Sequence, residues 1–302
     1  MTTDEVMFYK YHIVESKGSG SFGKVFSALN KNTGKRVVIK NVPISYDKEW
    51  GYDFLFTNKM CEIDVIEHLC ARGVDDVPRL LDYGYFRWNK EEIGYMVMED
   101  TGSRDLFQCI HGPNKMSFDE ADIMRIFTRI LRCVYTAAAS AGVYHGDLKT
   151  GNVIVDATLQ NVQVIDWGSV HLVGNKKPRH RTCTTEYSSP ESLVAESSME
   201  GYDPELLLVW SLGAVLYELA VGVMLHEKKD FIDYCKIGLY YACTTNVSSS
   251  SSSSRVPSFQ RKLNAKLDAT VKSVKINRML RRMLNANPNE RCRLEEMFEF
   301  VE

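Results

Sequence analysis

A short segment after residue 143 carries side chains that together could transfer a phosphoryl group. Asp147 can accept the proton of an attacking hydroxyl, and Lys149 can neutralise charge on the group that moves. Asn152 and the more distant Asp166 provide oxygen ligands of the kind that Mg2+ binds between phosphates. We therefore interpret Asp147 and Lys149 as catalytic candidates, and Asn152 and Asp166 as metal ligands.

Lys40 and Glu62 are candidates for an ion pair that positions phosphates. Lys40 ends the apolar run Val37-Val38-Ile39, from which it could reach the α- and β-phosphates of a nucleotide. Glu62 lies where apolar residues recur at helical spacing, and its carboxylate could hold the lysine. Either residue alone would be interpreted as a solvated surface charge. Together behind a glycine-rich loop, they predict a catalytic ion pair.

A glycine-rich segment precedes this lysine and could close over phosphates. The candidate nucleotide contacts in it are Gly18, Ser19, Gly20, Ser21, Phe22 and Gly23. The spacing GxGxxG alone is weak evidence, because a dinucleotide-binding turn has the same glycines. Such a turn continues into a helix, whereas Val25-Phe26 and the turn at Asn32 predict a second strand. Glycines between two strands let backbone amides approach phosphates, and chance occurrence of this loop together with the lysine and the catalytic set is negligible.

The elements that must position these residues divide the chain near Asp100. Before it, short β-like runs predominate and a helix is predicted at Lys59–Cys70; after it, long amphipathic helices such as Phe118–Ala139 predominate. The predicted strands are Tyr11–Lys17, Val25–Leu29, Arg36–Val42, Arg79–Phe86 and Ile93–Glu99. We predict an α+β fold in one domain over 1–302. Its β-rich lobe with one main helix spans 1–100, and its mostly helical lobe spans 101–302.

Two segments have unusual composition. Leu206–Leu225 is apolar and long enough to cross a membrane. Asp203-Pro204 at its start and Glu218 within it are more typical of a soluble helix, so we predict a buried core helix and no membrane span. The serine-rich segment 246–256 is predicted to be a flexible surface loop, either a simple spacer or a phosphorylated one.

The overall composition is that of an ordinary globular protein. The 302 residues are 44% hydrophobic, and a formal net charge of -2 argues against nucleic-acid binding by bulk electrostatics. The eight cysteines contain no CxxC pair, and no signal peptide precedes Val6. We expect an intracellular monomer, in the cytoplasm or nucleus, without disulfides or structural zinc.

The chain resembles the protein kinase superfamily over nearly its whole length. His145-Gly146-Asp147 is similar to the HRD motif, Asp166-Trp167-Gly168 to DFG, and Ser189-Pro190-Glu191 to APE. Arg291 resembles the late arginine that pairs with this glutamate. The resemblance implies a bilobal kinase fold, ATP and Mg2+ as cofactors, and protein substrates with serine or threonine acceptors.

The resemblance also implies contacts for the adenine base and a choice of acceptor. The implied base contacts are the gatekeeper Met98, the Glu99 carbonyl, the Thr101 amide, and Val25, Val38 and Ile154 on the two ring faces. Lys149, two residues past the catalytic aspartate, follows the serine/threonine-kinase pattern. Thr184 resembles the threonine that fixes that lysine and aspartate, so serine and threonine are favoured over tyrosine.

Within the superfamily, the chain resembles the PIM kinases in segments such as Arg79–Asp82 and Asp105-Leu106-Phe107. It departs from them in a hinge that is one residue shorter, where Thr101 keeps its N–H. Gly151 replaces the catalytic-loop glutamate with which PIM kinases select basic substrates, whereas Asp105 matches another acidic determinant. These departures suit a divergent member, for example a viral one acting in a host cell.

Three replacements within kinase motifs carry predictions. Gly146 stands in place of the arginine that pairs with a phosphorylated activation loop, so we predict activity without activation-loop phosphorylation. Leu208 replaces an aspartate that hydrogen-bonds the catalytic loop, which predicts a looser loop. Trp167 replaces phenylalanine and should fill the apolar column between His145 and Ile66, which makes the motif harder to flip.

The substrate preference stays open. The activation loop contains four basic residues, Lys176, Lys177, Arg179 and Arg181. They predict either attraction of acidic substrates or merely a solvated loop. Asp105 instead favours basic substrates.

Two alternative functions also remain. A catalytically weak or inactive pseudokinase acting as a scaffold is favoured by Gly146 and Leu208 and disfavoured by the complete catalytic set. A small-molecule or lipid kinase is less favoured, because such enzymes usually lack the Glu191–Arg291 brace.

Overall fold

A computed structural model describes most of the chain. The described residues are 9–20, 23–43, 62–88, 91–100, 104–174, 177–180, 182–197, 201–226, 230–244 and 255–301. Several predicted features lie outside these ranges, namely Ser21, Phe22, Thr101, Lys176, Arg181 and residues 246–254 of the serine-rich loop.

The first lobe is a five-stranded antiparallel sheet with the strand order β1-β2-β3-β5-β4. Its strands are β1 Tyr11–Gly20, β2 Gly23–Asn30, β3 Arg36–Pro43, β4 Leu80–Trp88 and β5 Glu91–Glu99. The β2–β3 hairpin turns at Gly34, whose φ of 69° lies in the left-handed region that favours glycine. All five predicted strands are present, with their ends shifted by a few residues.

Helix α1 (Glu62–Ala71) packs on one face of this sheet. Its buried apolar residues recur every three or four positions and are Ile63, Val65, Ile66 and Leu69. They share a core with Met96 of β5, whereas the alternate residues Tyr95 and Val97 lie in a second core on the opposite face. This packing places Glu62, in the first turn of α1, against the sheet that carries Lys40.

The second lobe consists mainly of helices, as predicted. They are α2 Leu106–His111, α3 Glu120–Ala141, α4 Pro190–Leu193, α5 Pro204–Val221, α6 Phe231–Thr244, α7 Arg255–Thr270 and α8 Val274–Met283. The sequence predicts a loop up to residue 256, but α7 begins at Arg255. Leu263 and Leu267 lie on the buried face of α7, and Phe259, one turn earlier, packs against the same core, so the face of the helix that contacts the core begins close to the serine run.

Helix α5 is the apolar segment that has the composition of a membrane span. Among the described residues it is the one helix long and apolar enough for such a span, and 78% of it is buried inside the protein. Asp203 caps its N-terminus, because the Asp203 side chain accepts a hydrogen bond from the Glu205 N–H at 2.9 Å, and Pro204 lies in the first turn. The predicted buried core helix is confirmed.

Two small sheets hold the segments that carry the catalytic candidates. One consists of β6 Arg104–Asp105, β8 Val153–Val155 and β9 Val162–Val164, and the other of β7 Val143–His145 and β10 Val170–Leu172. Asp147 lies between β7 and β8, and Asp166 lies between β9 and β10. Because β7 pairs with β10 and β8 with β9, the two loops are held side by side.

Candidate active site

Asp147 and Lys149 lie in the loop that joins β7 to β8, and Thr184 contacts both of them. The Lys149 Nζ atom donates to Asp147 Oδ2 at 2.6 Å and to Thr184 Oγ1 at 2.8 Å. The Thr184 backbone N–H donates to Asp147 Oδ1 at 2.6 Å. Asp147 is 3% exposed, so these charge-assisted hydrogen bonds fix its carboxylate in one orientation.

Asn152 and Asp166 are brought together by the β8–β9 hairpin. The Asn152 carbonyl accepts from the Ile165 N–H at 2.9 Å, which aligns the residue directly before β8 with the residue preceding Asp166. The Asn152 Nδ2 atom donates to the Asp147 carbonyl at 2.8 Å, so the amide nitrogen is used and the amide oxygen remains for a ligand. Asp166 has a φ of 67°, a strained conformation that is more common at functional sites than elsewhere.

This pair of residues suits Mg2+. One carboxylate and one amide oxygen are hard ligands, and Mg2+ is usually held by one or two carboxylates together with substrate phosphates. Among the described residues, no group of three or more His, Cys, Asp and Glu side chains could hold a metal ion by itself. The donor set therefore fits a cation shared with phosphates rather than one caged by the protein.

Lys40 on β3 joins Glu62 of α1 to Asp166. Its Nζ atom lies 2.7 Å from Glu62 Oε2 and also contacts the Asp166 carboxylate. Burial opposes the charge on Lys40, but the two carboxylates outweigh it and raise the pKa of the ammonium. Burial raises the pKa of Glu62 to about 7, although the Lys40 charge opposes this shift. The predicted ion pair of Lys40 and Glu62 is present within the sheet lobe, and the contact of Lys40 with Asp166 connects this lobe to the helical lobe.

His145 and Trp167 form hydrogen bonds with backbone atoms in and next to these loops. The Asp147 N–H donates to His145 Nδ1 at 3.1 Å, so the other ring nitrogen carries the proton and donates to the Ile165 carbonyl at 3.1 Å. Burial lowers the pKa of His145, which keeps this tautomer neutral. Trp167 is fully buried, and its indole N–H donates to the Val164 carbonyl at 2.8 Å. The Trp167 ring centroid lies 4.7 Å from that of His145, and Trp167 belongs to the same buried core as Ile66.

A cavity of about 760 Å³ lies between the lobes, and most of the residues predicted to contact the nucleotide line it. The predicted residues that line it are Gly18, Gly23, Val25, Val38, Lys40, Glu62, Met98, Glu99, Asn152, Ile154 and Asp166. Val25 lies opposite Lys40 on neighbouring strands, and Val38 lies opposite Met98. Ser19 and Gly20 pair with Lys24 and Gly23 in the hairpin above the cavity.

Sequence reasoning missed charged groups at the mouth of this cavity. Asp100 lies 3.4 Å from Lys17 and 3.5 Å from Arg36, and Lys17 and Asp100 both line the cavity. These residues are far apart in the chain, so no spacing pattern could have paired them.

Asp105, the predicted acidic substrate determinant, lines the cavity, and its carboxylate also caps a helix. Asp105 Oδ1 accepts a hydrogen bond from the Gln108 N–H at 2.7 Å and so caps α2.

Gly146 lies where the catalytic loop touches the activation segment. Its N–H donates to the Ser169 carbonyl at 2.6 Å. A Cβ atom here would lie 2.7 Å from that oxygen and 3.0 Å from both His171 Nε2 and Thr182 Oγ1. The same His171 nitrogen lies 3.0 Å from Thr182 Oγ1 and 3.2 Å from the Tyr202 hydroxyl. We call His171, Thr182 and Tyr202 the activation-segment latch.

The latch is uncharged near neutral pH. Burial, with a smaller effect of His145, lowers the pKa of His171 to about 4. The space beside Gly146 is therefore filled by neutral hydrogen-bonding groups.

Glu191 and Arg291 form the brace that the resemblance implies. Two guanidinium nitrogens lie 2.6 and 3.0 Å from the two carboxylate oxygens, which is a bidentate arrangement. The Arg291 side chain is fully buried and also donates to the Leu206 carbonyl at 2.8 Å. This brace connects the start of α4 to α5 and to the segment that follows α8.

Comparison with known proteins gives concordant matches. A family model described as a protein kinase domain matches residues 11–300. CBL-interacting protein kinase 11 of Oryza sativa subsp. japonica is 30% identical over 237 residues, which cover 77% of this chain and 44% of that protein. CBL-interacting serine/threonine-protein kinase 26 of Arabidopsis thaliana is 29% identical over 231 residues, covering 75% of this chain and 48% of that protein.

A third relative extends the match along almost the whole chain. CBL-interacting protein kinase 2 of Oryza sativa subsp. japonica is 25% identical over 299 residues, which cover 97% of this chain and 58% of that protein. The chain spans about half the length of the curated relatives it matches. The narrower resemblance to PIM kinases and a viral origin are not supported by these matches.

Proposed function

The chain belongs to the protein kinase family, and from this we propose that it transfers the γ-phosphoryl group of ATP to serine and threonine hydroxyls of proteins. One observation carries this proposal. Lys40 and Glu62 of the sheet lobe line one cavity with Asn152 and Asp166 of the helical lobe, and Asp166 contacts Lys40. The Asn152 side chain in turn donates a hydrogen bond to the carbonyl of Asp147, which pairs with Lys149.

Each residue of the site would have a separate role in the reaction. Lys40, held by Glu62, would bind the α- and β-phosphates and place ATP beneath the glycine-rich hairpin. Asp147 would orient the acceptor hydroxyl and take its proton, while Lys149 would neutralise charge on the moving phosphoryl group. Asn152 and Asp166 would hold Mg2+, which would supply positive charge to stabilise the negatively charged phosphates.

Serine and threonine acceptors are supported by two observations. A relative is named as a serine/threonine-protein kinase, and the Lys149–Thr184 hydrogen bond matches the arrangement implied by the resemblance. The relatives' names record binding to CBL proteins. We carry over only the kinase chemistry, because the match covers about half of their length. Monomeric state and intracellular location stay predictions.

We further propose that the enzyme is active without activation-loop phosphorylation. An arginine at position 146 would have to begin with a Cβ atom 2.7 Å from the Ser169 carbonyl oxygen. Because the latch already binds the activation segment through neutral groups at this point, no phosphate is needed to order it there.

The first experiment tests catalysis. Purified protein is incubated with Mg-ATP and a library of serine, threonine and tyrosine peptides, beside Asp147→Asn. Asp156→Asn is a matched control, because Asp156 lies in the same region but only caps its own turn. Loss of a positioned base should lower the rate by about 10²–10⁴-fold. A parent protein that binds ATP but labels no peptide would favour a scaffold instead.

The second experiment tests independence from phosphorylation. The protein is treated with a phosphatase, freed of it, checked by mass spectrometry for loss of all phosphate, and assayed again. We expect the peptide rate to stay within about twofold of the untreated enzyme, since the latch contains no group that binds phosphate by charge. A large loss that is restored by renewed phosphorylation of the activation segment would overturn the proposal.

A further inference from the structure

Lys17 is a charged residue in the strand that enters the glycine-rich hairpin, and the mechanism above does not use it. It lies near the end of β1 and lines the cavity together with Gly18 and Val25. Its Nζ atom lies 3.4 Å from Asp100 Oδ2, although the two residues are 83 positions apart in the chain. We call the ion pair of Lys17 and Asp100 the mouth clasp.

A β-bulge at Lys17 makes this contact possible. Ser16 lies opposite Phe26 and Gly18 lies opposite Val25, so Lys17 is an extra residue that faces no residue of β2. A bulge changes the direction of a side chain and bends the strand, and bulges are common next to active sites. The local backbone of β1 therefore departs from a regular strand at the residue that forms the clasp.

Asp100 is the more buried member of the clasp and has a second counter-charge. Its side chain is 5% exposed, whereas that of Lys17 is 35% exposed. The Arg36 Nε atom lies 3.5 Å from the same carboxylate oxygen, and Arg36 Nη2 donates to the Ser27 hydroxyl at 3.0 Å. A buried carboxylate is costly without counter-charges, so Asp100 attracts Lys17, while Arg36 still compensates Asp100 when Lys17 moves away. The clasp can therefore open without leaving an isolated buried charge.

The clasp lies away from the end of the cavity where phosphates would bind. Arg36 begins β3 and Lys40 lies four positions later, which is about 13 Å along an extended strand. Lys40 contacts Asp166 and marks the phosphate end, whereas Arg36 and Asp100 mark the mouth. A change in the clasp should therefore affect how the nucleotide is held more than how its phosphoryl group is transferred.

The clasp also connects strands that are not neighbours. β1 is an edge strand, and β2 and β3 lie between it and β5 in the sheet. Asp100 directly follows β5, so the clasp joins the start of the glycine-rich hairpin to the end of β5. A loop that is already held in its binding position binds more tightly, because less free energy is lost in ordering it.

We propose that the mouth clasp retains the nucleotide. Lys17 is a positioning residue that, through Asp100, holds the glycine-rich hairpin over the cavity, and Arg36 keeps Asp100 in place. The clasp thus sets the affinity for the nucleotide rather than the rate of phosphoryl transfer. The identity of the nucleotide as ATP rests on the proposed function, whereas the contact between the hairpin and the end of β5 does not.

The binding test uses Lys17→Met, which removes the charge but keeps a long side chain, and Lys17→Arg, which keeps the charge. Lys10→Met is the matched control, because Lys10 precedes β1 at its other end and pairs at 2.9 Å with Asp82, outside the cavity lining. Calorimetric titration with Mg2+ and the non-hydrolysable analogue AMP-PNP gives Kd. We expect Lys17→Met to raise Kd by about 3–10-fold and the other two variants to stay within about twofold.

Salt and steady-state kinetics separate the clasp from a general loss of structure. The ratio of Kd between Lys17→Met and the parent should fall toward one when NaCl is raised from about 0.05 to about 0.5 M, because salt screens the ion pair of the parent. For a serine peptide, KM for ATP should rise by about the same 3–10-fold, with kcat within about twofold. The proposal is wrong if Lys17→Met keeps the parent Kd, if Lys17→Arg or Lys10→Met loses as much affinity, or if the ratio does not depend on salt.

Hydrogen exchange distinguishes this proposal from the proposed function, because it needs neither nucleotide nor activity. In Lys17→Met, amides of 16–20 and 23–26 should exchange about 3–10-fold faster, while those of 104–174 stay unchanged. If the parent labels no peptide but the exchange and the Kd for AMP-PNP change as expected, the kinase function fails and the clasp stands. If exchange in the hairpin is unchanged, the clasp is wrong even in an active enzyme.

Discussion

Gly146→Ala adds one methyl group at a point where the structure has no room for it. The new Cβ atom would lie 2.7 Å from the Ser169 carbonyl oxygen, closer than real Cβ contacts come. It would also lie 3.0 Å from two atoms of the activation-segment latch, on His171 and Thr182. The backbone hydrogen bond from Gly146 to Ser169 has to lengthen, so the variant disturbs both the latch and the loop that carries Asp147.

The size of the effect follows from this overlap. Forcing one extra methyl group into a packed site costs about 1–3 kcal/mol. An unfolding entropy of about 2.1 cal/mol/K per residue amounts to about 0.6 kcal/mol/K for 302 residues, so each kcal/mol corresponds to about 1.6 °C in Tm and we expect a decrease of about 2–5 °C. Asp147 directly follows the altered residue, and a displacement of about 1 Å can lower a rate by about 100-fold. We therefore expect kcat to fall by about tenfold or more, since the shift will be a fraction of an ångström.

Gly151→Ala is the matched control, because it lies in the same loop and has space. Its added Cβ atom would have Lys149 Cε as its nearest neighbour, at 4.0 Å. Differential scanning calorimetry and steady-state peptide phosphorylation should therefore show nearly the parent values for this variant. If Gly146→Ala also keeps the parent Tm and kcat, the close packing beside Gly146 is wrong. The argument for activity without phosphorylation then loses its structural support.

Further predictions concern the lysine contact, acid stability and the connection between lobes. Thr184→Val removes the 2.8 Å hydrogen bond from Lys149 and should lower kcat by about tenfold with KM for ATP unchanged, whereas Thr184→Ser should keep the rate. Burial lowers the pKa of His226 to about 3, against about 6.5 in the unfolded chain. Below pH 6.5 the unfolded chain binds a proton that the folded protein does not, so stability decreases, and this loss reaches about 2 kcal/mol at pH 5. His226→Phe should remove this share of the acid loss in urea unfolding at pH 5 and 7.5, and equal losses in both proteins would contradict the assignment. Asp76, with a φ of 63°, accepts from Arg129 Nε at 3.0 Å, and Asp76→Ala should lower the free energy of unfolding by about 1–3 kcal/mol in urea, clearly more than Asp76→Asn.

Much of the fold was predictable because it depends on local pattern. The strands that carry Val25, Lys40 and Met98 have β-rich composition bounded by turn residues, and the structure contains each of them. Helix α5 was predictable because Asp203-Pro204 marks its start and its apolar composition requires burial. The ion pair of Lys40 and Glu62 was predictable because a lysine at the end of a strand and a carboxylate on the next helix both follow a glycine-rich loop.

The remaining features depend on which distant segments meet, and no spacing in the sequence records that. The sequence showed that Gly146 replaces an arginine. It did not show that His171 and Thr182 occupy the space in which a side chain at this position would lie. Asp105 is different, because its hydrogen bond to the Gln108 N–H is local and Asp is a preferred N-cap residue, so this cap could have been predicted.

Leu208 illustrates why a missing motif residue is a weak sign of lost function. The sequence alone predicts a looser catalytic loop, because it shows only that one carboxylate is absent from α5. What constrains the loop, however, is the total of hydrogen bonds between it and rigid neighbours, whichever residues supply them. Glu218 on the same helix binds Thr150 of the loop, and His145 accepts the Asp147 N–H from within it. An inactive scaffold should therefore be inferred from the loss of such connections between segments, and here both the catalytic charges and the connections are present.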